Sequence, residues 1–146
     1  MRKGNVTFKA YTMDQLSLLP PKLEELIPED HLVRVVNRVV EAIELEPLLA
    51  KYKGGGTSSY HPRMMLKVLV YAYSEKVFTS RRIEKGLREN VNFMWLAGGN
   101  RPDFRTINRF RGVVMKGEVR EVFTGVLELL IEEGYVKMEN YFVDGT

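Results

Sequence analysis

The segment Met64-Met65-Leu66-Lys67-Val68-Leu69-Val70-Tyr71-Ala72-Tyr73 decides the class of this fold. Wound as a helix, it is apolar around most of its circumference and is interrupted only by Lys67. Such a helix belongs in the middle of a bundle. His61-Pro62 opens it, with proline at the first helical position, where the missing N–H is harmless. The run is too short to span a bilayer.

Working outward from it, helical periods recur on both sides. Upstream, Lys53-Gly54-Gly55-Gly56-Thr57-Ser58-Ser59 reads as a linker, because it lacks the Lys-Ser/Thr of a phosphate-binding loop. Before it, Leu32, Val36, Val39 and Ile43, joined by Val35 and Val40, mark a helix that starts near Pro28-Glu29-Asp30, with Asp30 as its expected N-cap. Pro47 bends or stops it. Residues 1–20 show no helical period, and Pro20-Pro21 sets them apart from a turn-like Leu23-Glu24-Glu25-Leu26-Ile27; this arm is expected to lie across the domain.

Downstream, Thr79 or Ser80 caps a helix that runs to Asn90. A turn or two follows around Asn92-Phe93-Met94-Trp95-Leu96 and ends at Gly98-Gly99. Arg101-Pro102-Asp103 starts a helix reaching roughly Lys116. The last helix, Glu118 to Glu133, carries Val119, Val122, Phe123, Val126, Leu127 and Leu130 at i, i+3, i+4, i+7 spacing, and Gly134 stops it. Tyr141-Phe142-Val143 reads as a short apolar strand. The expected fold is therefore all-α, a helical bundle containing a helix-turn-helix-like unit, divided into an arm (1–29), a helical domain (30–136) and the start of something else (137–146).

A chain of 146 residues, 45% hydrophobic and 28% charged, supports one folded domain with a core rather than disorder. It has no cysteine, hence no disulfide framework and no thiolate metal site, which fits a cytoplasmic location. The basic start is followed by no apolar h-region, which argues against a signal peptide. Net charge is unevenly distributed: +2 over residues 1–80, +6 over 81–120 and −5 over 121–146. A basic block inside a folded chain points to a polyanionic partner, against the plainer reading of a solvated basic face.

Helical angles sharpen that choice. On the helix after Thr79, Ile83 and Leu87 share one face, while Arg81, Lys85 and Arg88 lie opposite at i, i+4, i+7. On the helix after Asp103, Phe104, Ile107, Phe110 and Val114 form the buried face. Arg105, Arg109 and Lys116 project from the other side, Asn108 flanks them, and Gly112 leaves room there for close approach. Arg and Asn fork onto guanine and adenine edges, and Arg and Lys neutralise phosphates. The second of these helices is the candidate for the groove and the first for the phosphate backbone. Arg82, Arg101, Thr106 and Arg111 complete the candidate DNA contacts. The bland alternative is ordinary helix faces with intrahelical pairs such as Arg81 with Glu84. A second alternative is an oligomerisation or regulatory module, suggested by the apolar central helix and the strong stripe of the last one. His31 and His61 have no partner at metal-ligand spacing and read as capping or loop residues. Trp95 reads as a core anchor beneath the two basic helices. Asp144, where the strand opens into a Gly turn, suits a metal ligand, but paired-metal chemistry needs several acids.

Several blocks go further. Leu18-Leu19-Pro20, Leu26-Ile27-Pro28-Glu29-Asp30-His31-Leu32-Val33, Ser59-Tyr60-His61-Pro62-Arg63-Met64, Ser80-Arg81-Arg82-Ile83-Glu84, Leu87-Arg88-Glu89-Asn90, Phe93 to Gly99, Arg101 to Arg111 and Phe142-Val143-Asp144-Gly145-Thr146 resemble, in order, the N-terminal part of DDE transposases of prokaryotic insertion sequences. The resemblance implies a helical region preceding an RNase H-like catalytic domain, of which 137–146 would be the vestigial first strand. It implies that Asp144 is the first acid of the triad, with the other two lacking a counterpart. The fragment would then bind double-stranded DNA at the inverted-repeat ends, as a possible homo-oligomer, and be neither catalytic nor in need of a cofactor. A full-length parent would use Mg²⁺ or Mn²⁺ for phosphoryl transfer.

Overall fold

The computed structural model describes residues 4–16, 18, 21–46, 50, 60–117 and 119–135. Over these the fold is all-helical: a 3-10 turn η1 (Leu23–Leu26), then α1 (Leu32–Glu41), α2 (Pro62–Ser74), α3 (Ser80–Glu89), α4 (Val91–Leu96), α5 (Phe104–Lys116) and α6 (Val119–Glu132). The strand expected at Tyr141-Phe142-Val143, and Asp144 with it, lie outside the described residues.

α2 is the hub. Met65, Leu66, Val68, Leu69, Val70, Tyr71 and Ala72 are all buried, and the helix packs against α1, α4, α5 and α6. All-round apolarity thus becomes all-round contact. Around it the amphipathic helices turn one stripe inward: Val33, Val36 and Val40 of α1, Ile83 and Leu87 of α3, Ile107, Phe110 and Val114 of α5, and Phe123, Val126 and Leu130 of α6. On α1 the buried centre is one residue off the expected Leu32–Val36–Val39–Ile43 line, whose other members are only partly covered. Val122, expected on the inner stripe of α6, faces outward.

Local chemistry sets the helix ends. Thr79, Asn90 and Asp103 cap α3, α4 and α5 by accepting backbone N–H groups of Arg82, of Asn92 and Phe93, and of Thr106. The expected Asp30 cap of α1 is instead His31, whose Nδ1 accepts from the Val33 N–H at 3.0 Å. Asp30 stands one residue too early, in the preceding turn. His61 caps α2 in the same way, accepting from Arg63. α4 and α6 both end on a left-handed glycine, Gly98 (φ 56°) and Gly134 (φ 79°), with a six-residue closing bond behind each: Gly99 N–H to Met94 O and Tyr135 N–H to Leu130 O.

The arm does not lie across the domain as expected. Val6, Phe8, Tyr11, Met13 and Leu16 are between 76% and 93% exposed; the chain first packs on the bundle through η1, against α4, and Ile27 is its first buried residue. Among the described residues the helices close the core with their own stripes, without a contribution from residues 4–16. Near that docking point Arg34 of α1 donates to the carbonyls of Glu24, Ile27 and Pro28. Its guanidinium also stacks 5.5 Å from the centroid of Trp95. Trp95 packs against the core as expected but is only half-buried, with Arg34 over its ring.

Candidate nucleic-acid interface

α3, α4 and α5 form one packed unit. Gly86 of α3 makes the tightest approach in it: a Cβ there would come 2.8 Å from the Phe93 ring of α4. Phe93 is itself held edge-on by Tyr71 of α2, centroid to centroid 5.0 Å. α4 is thus clamped between α3 and the central helix, which fixes the turn from α3 into α5. Burial, with the Glu75 carboxylate nearby, pushes the Tyr71 phenol well above its ordinary value, so it remains a neutral core group that accepts from the Asn92 amide.

The N-terminus of α3 lies against the first half of α5. Arg81 stacks on Phe104, its guanidinium carbon 4.0 Å from the ring centroid, and Arg105 approaches the same ring at 5.4 Å. Phe104, expected on the buried face of α5, is instead a half-buried platform for two cations from two helices. One residue back, Ser80 is buried at 8% exposure. Its Oγ donates to Asn108 Oδ1 at 2.8 Å and accepts from Arg111 Nη2 at 2.9 Å.

These contacts sort the candidate residues. Arg105 and Arg109 are exposed on the outer face of α5 with Lys116 near its end, and none of the three enters an ion pair among the described residues. Arg81 and Arg82 are exposed at the start of α3, and Arg101 precedes α5 in the open. Lys85 and Arg88 share the outward side with Arg81 but carry acidic neighbours. Arg88 pairs with Glu84 at 2.8 Å, and Lys85 reaches Glu89 at 3.9 Å. The plainer reading offered a pair of Arg81 with Glu84; Glu84 instead takes Arg88 one turn on, an intrahelical pair of the kind that reading named, while Arg81 turns to Phe104. Thr106 supplies the backbone N–H that Asp103 caps. That bond, reinforced by the Thr106 side chain, holds the Asp103 carboxyl below its ordinary value.

Arg111 is placed unlike the others. It is half-buried, points to Ser80 and lies 5.9 Å over the Tyr73 ring, and its Nε is buried with no hydrogen-bond partner among the described residues. Asn108 is exposed at the edge between the outer stripe and α3. Gly112 has nothing within 4 Å of a would-be Cβ, so that part of the outer face stays open.

Sequence reasoning missed Ser80 as a link and Phe104 as a platform. Ser80 gives no local signal, because its partners are 28 and 31 residues away. Phe104 gives a weak one, an aromatic flanked by Arg105 and Asp103 at a helix start. Among the described residues no three of His, Cys, Asp and Glu cluster to hold a metal, and no helix is long and apolar enough to cross a membrane.

The model of the family described as Transposase domain (DUF772) matches residues 21–112, from the residues before η1 to the outer face of α5. No curated protein and no solved structure matches. With well over half of its length covered, the chain belongs to the Transposase domain (DUF772) family.

Proposed function

We propose that α3 and α5 bind double-stranded DNA in a transposase, with α5 facing the groove and α3 the phosphate backbone. The observation that carries this reading is the meeting of Arg81 and Arg105 on one Phe104 ring. It makes the basic stripes of two helices continuous, and Arg109 and Lys116 extend them without acidic partners among the described residues. Outward cations gathered on one face repel one another, and a phosphate backbone relieves that. The ends of an insertion sequence are the natural duplex for such a protein, in line with the resemblance of the chain.

A DDE role for Asp144, with Mg²⁺ or Mn²⁺ and two further acids, rests on that resemblance alone. Asp144 lies outside the described residues.

Fluorescence anisotropy with duplex DNA, titrated across salt, tests the binding. Affinity should fall linearly on a log–log plot with salt, at a slope of about −0.9 per phosphate contacted. Absence of binding to any duplex at low salt would remove the reading. Equal affinity for selected and random duplexes would remove its sequence-reading part.

A second reading has one specific observation behind it. Val122 and Leu129 are exposed along the outer side of α6, which suits contact with another subunit. Sedimentation showing a monomer at high concentration would end that alternative.

A further inference from the structure

We propose that Asn108 reads an adenine in the major groove, and that Arg111 and Ser80 preset the edge of its amide that faces the base. This rests on the DNA-binding reading above and adds a residue-level specificity to it.

The direction of the hydrogen bonds follows from donor inventory. A guanidinium has only donors, so Ser80 Oγ must accept from Arg111 Nη2 across 2.9 Å. That leaves the Ser80 hydroxyl proton to be donated. At 8% exposure it needs an acceptor inside the protein. The Asn108 atom 2.8 Å away is therefore the carbonyl oxygen, not the amide nitrogen. Asn108 Nδ2 makes no hydrogen bond among the described residues, and its residue is exposed.

What remains on the outer edge is specific. One lone pair of Oδ1 is occupied by Ser80; the other, together with the two Nδ2 donors, offers an acceptor beside a donor. Adenine presents the complementary pair in the major groove, a donor at N6 and an acceptor at N7. An unrestrained asparagine turns its amide over and loses that ordering on binding. Here the relay orders it beforehand.

The position fits the task. At ~100° per residue, Asn108 sits about 60° around α5 from Arg105. It lies between the outward cations and the edge where Phe104 and Arg111 meet α3. Phosphate contacts from Arg105 and Arg109 on one side and Arg81 on the other would bracket it over a base. Ser80 and Arg111 act as positioning residues and touch no DNA.

The test is selection of duplexes from a random pool by the whole chain. Anisotropy titrations then follow, with each base pair placed in turn at every position of the selected site. Wild type should prefer A·T at one position by about 5- to 150-fold, the discrimination of a good bidentate pair. Asn108→Ala should abolish the preference at that position alone. Ser80→Ala should shrink it severalfold while leaving the salt slope of binding unchanged, a pattern that general loosening of the fold would not give. If Ser80→Ala does not fold, Ser80→Cys keeps the volume with a far weaker donor and should show the same loss. Unchanged preferences in Asn108→Ala, or full retention of the A·T preference in the Ser80 variant that folds, would overturn the proposal. Failure of wild type to bind any duplex at low salt would instead mean that the DNA-binding reading had failed.

Discussion

Arg34 and Arg63, which serve the α1 side of the bundle, and Arg105 and Arg109 on α5 have opposite fates. On the α1 side, Arg34 donates to three carbonyls around η1 and stacks on Trp95, while Arg63 of α2 donates through Nη1 to the carbonyls of Val40, Glu41 and Ile43 at the end of α1. Lys67 is similarly occupied by Glu41, whose carboxyl it holds below the ordinary value. On the α3–α5 side, Arg105 and Arg109 face outward with no ion pair among the described residues. The difference teaches that basic residues cannot be counted as one population. A guanidinium that satisfies orphaned helix-end carbonyls belongs to the fold, whereas one on an open stripe is available to a ligand.

Removing an arginine from each side is the strongest way to break this contrast. Arg34→Ala deletes four bonds from a charged donor, three to carbonyls and one to the Glu24 carboxylate, together with the packing over Trp95. It should lower stability by about 2–4 kcal/mol in urea or thermal unfolding. A loss below about 0.5 kcal/mol would erase the distinction between the two sides. The matching change, Arg105→Ala with Arg109→Ala, should leave the unfolding midpoint nearly where it was. It should cost DNA affinity about 1–3 kcal/mol per residue if both contact bases, or flatten the salt slope by about 1 each if both contact phosphate. A large drop in stability with no change in binding would reverse their assignment.

The clamp that orients the basic unit gives a smaller effect. Gly86→Ala gains up to about 1 kcal/mol of helix propensity. Its Cβ, however, would stand 2.8 Å from the buried Phe93 ring, and overpacking costs about 1–3 kcal/mol. A net loss near 1–2 kcal/mol is expected in thermal unfolding, and stabilisation would mean that α4 yields more readily than its packing implies.

The smallest expected effect is on pH. The Thr106 N–H holds the Asp103 carboxyl below its unfolded value of 3.8. With the folded value depressed, the cap contribution is complete above that pH and lost as pH falls through the lower, folded value. Asp103→Asn keeps a capping oxygen without the titration. Its stability should therefore decline less steeply than that of wild type below about pH 4, as read from unfolding midpoints.

Much of the bundle was legible because its signals are local. The 3–4 spacing of α3, α5 and α6, the proline start of α2, the start signals at Thr79-Ser80 and Arg101-Pro102-Asp103 and the glycine stops at Gly98 and Gly134 each need only a few neighbouring residues. His31 as a cap was half-legible: its role could be read, but its displacement of Asp30 depended on where the backbone left its extended conformation. The outward side of α5 was legible from angles alone. The roles of Phe104, Ser80 and Arg111 were not, since each depends on α3 crossing α5 at one particular place.

The periodicity of apolar residues by itself determined that this chain makes amphipathic helices around one wholly apolar helix, because burial of a stripe is a property of spacing. It equally determined a basic middle, because charge is additive along a chain. Only the tertiary structure decided which cations remain available. Arg63 finds its carbonyls 20 to 23 residues back in the chain, and Arg111 finds Ser80 at a separation of 31. A guanidinium is bound or left open according to which polar atoms packing brings within about 3 Å, and no spacing rule along the sequence reports that distance.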